Sequence, residues 1–176
     1  MIRLRLSGLL VGLAVAGCAT VHTKPPPFDT FPERFDAIQV MKVEGMANGS
    51  PIEREFLVSV KRAGESVDIT FMDPFWQKAL FRVSYGVAGY SVTPLVQNIE
   101  LPFAGEEIVD TAREVFRWQG RLDDAGEAKI QTPRFWVKIG DVGRDGTCLF
   151  PRRIELKPRV PDAPRMTITT KDWRCP

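Results

Sequence analysis

The sequence predicts an α+β, mainly β domain: a curved antiparallel sheet whose apolar face curls around a single amphipathic helix. Three observations carry this expectation. Apolar and polar residues alternate at period two over several short stretches, the pattern of strands covered on one side only. Brief glycine-bearing turns separate those stretches, short enough for consecutive antiparallel strands. One segment, 104–118, replaces the alternation with a helical period. At 176 residues, 44% of them hydrophobic, with 14 glycines and 14 prolines, the chain has room for one turn-rich domain with a real core.

Residues 1–17 read as an export leader. Arg3 and Arg5 precede an apolar run over 9–16, interrupted only by Gly12 and too short to span a membrane. The run ends at Val15-Ala16-Gly17-Cys18-Ala19, and an aliphatic residue, two small ones and a cysteine make a lipobox. The small residues let the chain lie extended in a peptidase groove, and the free thiol can take a diacylglycerol as a thioether. The expectation is cleavage before Cys18 and lipidation there, palmitate-type chains included. Two or three acyl chains anchor stably where one is marginal, at ~0.8 kcal/mol per buried CH₂. Ala19 stands where inner-membrane retention usually has Asp, which by resemblance to enterobacterial sorting rules favours the outer membrane, facing the periplasm.

Residues 18–29 then form a tether. Its three prolines at 25–27 favour an extended polyproline segment that holds the domain off the bilayer. His22, the only histidine, sits in this tether, away from any domain site. Residues 30–176 make the single domain. Taking Arg3 and Arg5 from the 24 basic residues leaves 22, against 22 acidic ones, so the mature chain has no excess positive charge for a phosphate backbone. Nucleic acid is not an expected partner.

Within the domain, 32–38 admits a short helix with Thr30 as its cap. Phe56, Val58 and Val60 then alternate with Glu55, Ser59 and Lys61, and Val67, Ile69 and Phe71 with Asp68 and Thr70. Ala79, Phe81 and Val83 oppose Arg82 and Ser84, and Phe135, Val137 and Ile139 repeat the pattern. Turns fall at 63–65 and 86–89. In the helix, Ile108, Ala112, Val115 and Phe116 form one stripe, Glu106 and Glu107 occupy the first turn, Arg113 and Arg117 the end, and Gly120 follows as a stop signal.

With Cys18 acylated, Cys148 and Cys175 remain, in a compartment where a disulfide persists. Segments 153–160 and 165–171 look like strands joined by Pro161-Asp162-Ala163-Pro164. Facing residues of such a hairpin have numbers summing to about 325, and Cys148 with Cys175 gives 323. A bond between them closes a loop of 28 residues and contributes roughly 3 kcal/mol by loop entropy. Two reduced, buried thiols are the alternative.

Signs of catalysis are few. One tether histidine and an expected pair of bonded cysteines leave no zinc set and no Ser-His or Cys-His dyad in the domain. Gly140-Asp-Val-Gly-Arg-Asp-Gly146 lacks the lysine of a phosphate loop and reads as a tight turn between strands. Asp141 and Asp145 lack the further carboxylates of a calcium loop, and Asp123 with Asp124 reads as a solvated loop. No cofactor is implied. A small domain without nucleophile, metal set or cofactor motif is expected to bind rather than to act as an enzyme.

Asp73-Pro74-Phe75-Trp76 is unusual, because two large aromatics occupy a turn between strands where polar residues are the rule. Either they fold under to cap the core, or they form an exposed apolar tip that meets lipid or a lipidated client.

At this point the chain resembles the LolB branch of the LolA/LolB superfamily of lipoprotein-localisation proteins. Val67-Asp-Ile-Thr-Phe-Met-Asp-Pro-Phe-Trp followed by the strand at 80–84 is similar to that family's strand, Asn-Pro-Leu-Gly turn and strand. Ile99-Glu-Leu-Pro-Phe with the following helix resembles its helical region, and Phe150-Pro-Arg-Arg-Ile-Glu-Leu, Met166-Thr-Ile-Thr and Trp173 resemble its last hairpin and terminal tryptophan. The resemblance spans most of 38–174. It implies an open, incomplete barrel wrapping helices and holding acyl chains in an apolar cavity, with Phe75 at the protruding position that helps deliver lipoproteins to the outer membrane. Trp76 stands where the family has glycine, and the Cys148–Cys175 pair is foreign to its pattern.

The expected function is therefore an outer-membrane-anchored lipoprotein, monomeric, that binds acyl chains or lipidated clients and assists their placement, with a LolA-like carrier as partner. Val58, Ile69, Phe71, Phe81, Val83, Ile108, Ala112 and Phe116 are the expected groove lining, and Phe75 and Trp76 the membrane or client contact. The alternatives are a non-transporting accessory lipoprotein of an envelope or lipid-export assembly, its groove filled by its own side chains, and an enzyme on lipid or glycan.

Overall fold

Among the described residues, nine strands and one helix make up the fold. A computed structural model of the chain describes residues 31–47, 49–97, 105–116, 122–123, 125–146, 148–161 and 163–175. The leader, Cys18, the tether, Thr30, Arg117 and Gly120 lie outside these residues. Strands β1 (Arg34–Ala47), β2 (Ser50–Ala63), β3 (Ser66–Met72), β4 (Ala79–Gly86) and β5 (Gly89–Pro94) precede α1 (Gly105–Phe116). After it come β6 (Ala128–Gln131), β7 (Phe135–Asp145), β8 (Cys148–Pro158) and β9 (Arg165–Arg174). All pair antiparallel in the order β5-β4-β3-β2-β1-β9-β8-β7-β6, so the sheet is open, with β5 and β6 as edges.

The alternation read from sequence becomes the two faces. Phe56, Val58, Val60, Val67, Ile69, Phe71, Phe81, Val83, Val137 and Ile139 are buried on the concave side, while Lys61, Asp68 and Arg82 face solvent. Gly64 takes the two-residue β2–β3 turn at φ 60°, and its N–H donates to the Glu33 carbonyl. In α1 the buried stripe is Val109, Ala112, Val115 and Phe116, with Ile108 half-buried beside it.

The helix bridges the two sides of the open sheet. Gly105 abuts Val92 of β5, where a Cβ would overlap a valine methyl. On the other side Glu107 pairs with Arg134, between β6 and β7, at 2.8 Å. Its far end is held by Arg62, which donates Nη1 to the carbonyls of Phe116 and Phe31 at 3.1 and 3.2 Å and Nε to that of Gly64 at 3.0 Å. A cation on the last helical carbonyl suits the dipole. We expect Arg62→Ala to lower unfolding free energy by about 2 kcal/mol, since charged hydrogen bonds contribute ~1.5–3 kcal/mol. Urea denaturation checks this, and a loss below ~0.5 kcal/mol would show that Arg62 does not hold the helix.

Two expectations are corrected. Residues 34–38 are not helical but open β1, the central strand paired with β2 and β9. Phe35 and Ala37 alternate with exposed Asp36, and Phe35 stacks on Trp173 of β9 at 4.1 Å. Partners on both sides outweigh local helix propensity. Nor is 140–146 a tight turn: β7 runs through Asp145, and the reversal begins at Gly146. The glycine at 143 serves packing. A Cβ there would meet the Phe150 ring at 2.7 Å and Arg152 Nε at 2.8 Å, and Phe150 needs that place to stack on Trp173 at 5.2 Å.

Candidate functional site

Between the sheet and α1 lies a cavity of about 500 Å³. Its wall draws on β1, β2, β3, β7, β8, β9 and α1, with Arg134 before β7 and Val160, Pro161, Ala163 and Pro164 between β8 and β9, and it is mostly apolar. Glu107, Thr111, Arg134 and Gln39 are the lining residues with polar side chains. At ~30 Å³ per water-sized group, the volume takes on the order of sixteen methylenes, about one acyl chain, and it falls in the ordinary range of ligand sites.

Register locates the mouth. The exposed lining residues Met46, Val160 and Pro161 sit at one end of the sheet, where β1 finishes and β9 begins, Glu44 facing Arg165. The Glu107–Arg134 pair lies on the lining at this end too.

Of the residues singled out in the sequence, Val58, Ile69, Phe71, Ile108, Ala112 and Phe116 line the cavity. Phe81 and Val83 do not. Both are on β4, one of the strands that α1 contacts, and both are fully buried. Phe81 stacks on Phe71 at 4.2 Å. Because the helix fills the concave face over β4 and β5, free space shifts toward β1, β9 and β8. Met41, Ile154, Leu156, Met166 and Ile168 therefore join the lining. Sequence reading placed none of these five in the groove, although the alternation of 153–160 carried the signal for two.

Gln39 is another lining residue it missed. It is 3% exposed, at an inward position between Ala37 and Met41, beside a register shift in the β1–β9 pairing. Its Nε2 donates to Thr170 Oγ1 at 3.3 Å, and that hydroxyl donates to the Pro151 carbonyl at 2.7 Å.

The turn after β3 is built by Asp73. Its Oδ1 accepts the N–H groups of Phe75 and Trp76 at 2.9 and 2.8 Å. Its carbonyl accepts from Gln77, and its own N–H donates to Lys78. With the backbone closed on itself, both rings are left outside: Phe75 is 88% and Trp76 85% exposed. They do not cap the core. β3 runs parallel to β1, with Leu57 facing both Val40 and Met72, so the tip leaves β3 level with Val40, six residues short of Met46, and heads toward the end of the sheet where β1 finishes. Leu95 and Trp136, also exposed, stand at that end as well.

At the opposite end Cys148 and Cys175 are bonded, their Cα atoms 6.3 Å apart. Trp173 Nε1 donates to Cys175 Sγ at 3.0 Å, joining the bridge to the aromatic cluster. Asp145 accepts from the Cys175 N–H, and Asp123 Oδ1 from those of Ala125 and Glu127; Asp124 lies outside the described residues. Among those residues no three His, Cys, Asp or Glu side chains group as a metal set. Glu127 hydrogen-bonds Lys138 and raises its pKa, so this lysine holds its proton firmly.

No protein-family model and no curated protein sequence matches the chain. Among solved structures it is similar to a LolA superfamily protein of Nitrosomonas europaea, with TM-score 0.48 and 8% identity over 84% of this chain and 88% of that one. It is also similar to a domain named for outer membrane lipoprotein sorting from Vibrio parahaemolyticus, with TM-score 0.44 and 9% identity over 80% and 84%. A DUF1329 family protein of Desulfovibrio piger follows at 0.34 and 11%, over 81% and 85%. At such identities the likeness concerns the chain path alone.

Proposed function

We propose that this protein is a lipoprotein of the bacterial envelope, held in the outer membrane through acylated Cys18 and facing the periplasm. It takes an acyl chain of a lipid or lipidated client into the cavity and releases it at a membrane met by Phe75 and Trp76. It works as a binding protein rather than an enzyme, as a monomer, with a soluble LolA-like carrier as the expected donor of clients.

The observation that carries this reading is an apolar cavity of acyl-chain volume in a domain whose β3–β4 turn holds two large aromatic rings out in solvent. Each ring that passes from water into hydrocarbon contributes ~1.5–3 kcal/mol, enough to hold that turn against lipid. A cavity left open among the described residues supports this reading over a purely structural accessory role, for which a groove filled by the domain's own side chains is expected.

The test uses the full chain carrying Cys18→Ala, purified under oxidising conditions. Native mass spectrometry should find one lipid bound per chain, and the protein should pass it to phosphatidylethanolamine–phosphatidylglycerol vesicles. The double variant Phe75→Glu, Trp76→Glu should keep its lipid and unfold within ~2 °C of the parent, as exposed substitutions do. Its transfer should fall about a hundredfold. A cavity that stays empty under saturating lipid, or undiminished transfer by the variant, would refute the proposal.

A further inference from the structure

The cavity wall holds a polar group that a plain hydrocarbon chain leaves unused. Gln39 points inward from β1 among apolar neighbours and is almost fully buried. Thr170 fixes which way its amide faces. The threonine proton goes to the Pro151 carbonyl, so Thr170 Oγ1 acts only as acceptor toward Gln39, and the group facing it is the Nε2 donor. The carboxamide oxygen is thereby turned away from β9. No described residue donates to that oxygen, and it is not among the fully enclosed polar atoms that lack partners, so it reaches the cavity surface. Gln39 stands seven residues along β1 from Met46 at the mouth, roughly 20 Å inward at ~3.3 Å per residue. A lone acceptor at the inner end of an apolar cavity is unfavourable unless something inside donates to it.

We propose that Gln39 is a specificity-determining residue, and that the occupant is an apolar chain whose inner end carries a neutral hydrogen-bond donor, a hydroxyl or an amide N–H. This rests on the chain-binding reading and narrows it. Simple alkyl tails enter but leave Oε1 unpaired; chains with a donor are selected. A site that presents a buried acceptor discriminates against the analogue lacking the donor, because desolvation of the acceptor is then uncompensated.

Three probes of matched length separate the outcomes: methyl hexadecyl ether, which has no donor, hexadecanol, and N-methylhexadecanamide. Binding is measured by calorimetry on the full chain with Cys18→Ala. Hexadecanol or the amide, whichever donor geometry fits, should bind about tenfold more tightly than the ether, the worth of one net hydrogen bond. Which of the two is preferred tells a hydroxylated chain from an amide-bearing one. Gln39→Leu, of similar volume and apolar, should erase the preference by weakening the donor probes while the ether binds as before. Equal binding of all three to the parent protein would overturn the proposal and mean that a solvent molecule satisfies Oε1, with chain binding intact. Preference surviving in Gln39→Leu would overturn it too. Binding of none would remove the chain-binding reading itself, and the parent comparison decides even if the variant does not fold.

Discussion

Phe35→Ala should lower the unfolding free energy by about 3–5 kcal/mol, the range for large aromatic truncations in a core. Phe35 is 1% exposed and touches three separate parts of the fold. Its ring stacks on Trp173 of β9, lies 5.6 Å from Phe116 at the end of α1, and 6.4 Å from Phe31 before β1. Those neighbours are themselves fixed, Phe116 and Phe31 through the carbonyls that Arg62 holds and Trp173 through the disulfide. The site therefore cannot collapse easily onto the vacated volume, which puts the cost at the upper part of the range. At 2–4 °C per kcal/mol for a domain of this size, the midpoint should fall by roughly 10 °C or more. Phe116 also lines the cavity, so the new void should connect with it and raise the binding of an apolar dye. Thermal unfolding and dye fluorescence check both. A loss under ~1 kcal/mol would mean that α1 is not braced through this cluster.

The sheet was legible in the sequence wherever one face is apolar and the other charged. Residues 56–60, 67–71, 81–83 and 135–139 show this, because each strand there has solvent on its convex side. The start of β1 was not. Phe35, Ala37, Gln39, Met41 and Val43 are the inward positions, but Ile38 and Val40 on the outer face blur the alternation, and Gln39 breaks it on the inner one. Only pairing with β2 and β9 settles that strand, and such long-range partners leave no mark in a short window. The same loss hid Gln39 as a candidate, since a polar residue looks out of place only once its strand and face are known. Phe81 and Val83 failed to reach the cavity for a different reason. Periodicity tells which residues face inward but not which of them the helix covers, and α1 lies over β4 and β5. The tip shows the converse case. Proline and aspartate signalled the turn, and the Asx hydrogen bonds of Asp73 explain why the rings after it stay outside.

Removing the disulfide should cost about 3 kcal/mol, and the structure says where the loss acts. Among the described residues the β8–β9 ladder consists of four pairs, from Arg153 with Thr169 to Leu156 with Met166. These pairs sum to 322, close to the register expected from the turn, yet the strand residues nearer Cys148 have no ladder partner on β9. There the two strands are joined by Thr170 Oγ1 on the Pro151 carbonyl and by the bond itself, while Asp145 at the end of β7 accepts from the Cys175 N–H. Closing a loop of this length limits the unfolded chain by about 3 kcal/mol. In the folded state the same bond holds the splayed end together and keeps Trp173 stacked between Phe35 and Phe150. Reduction should thus loosen the aromatic end while the paired residues Ile154, Leu156, Met166 and Ile168, which line the cavity, keep their register. The expected result is a midpoint lowered by roughly 6–12 °C, equal for the reduced parent and for Cys148→Ser with Cys175→Ser, with near-ultraviolet dichroism weakened and chain binding retained below the transition. If reduction left the midpoint within ~2 °C, the ladder and the aromatic cluster alone would hold β8 to β9.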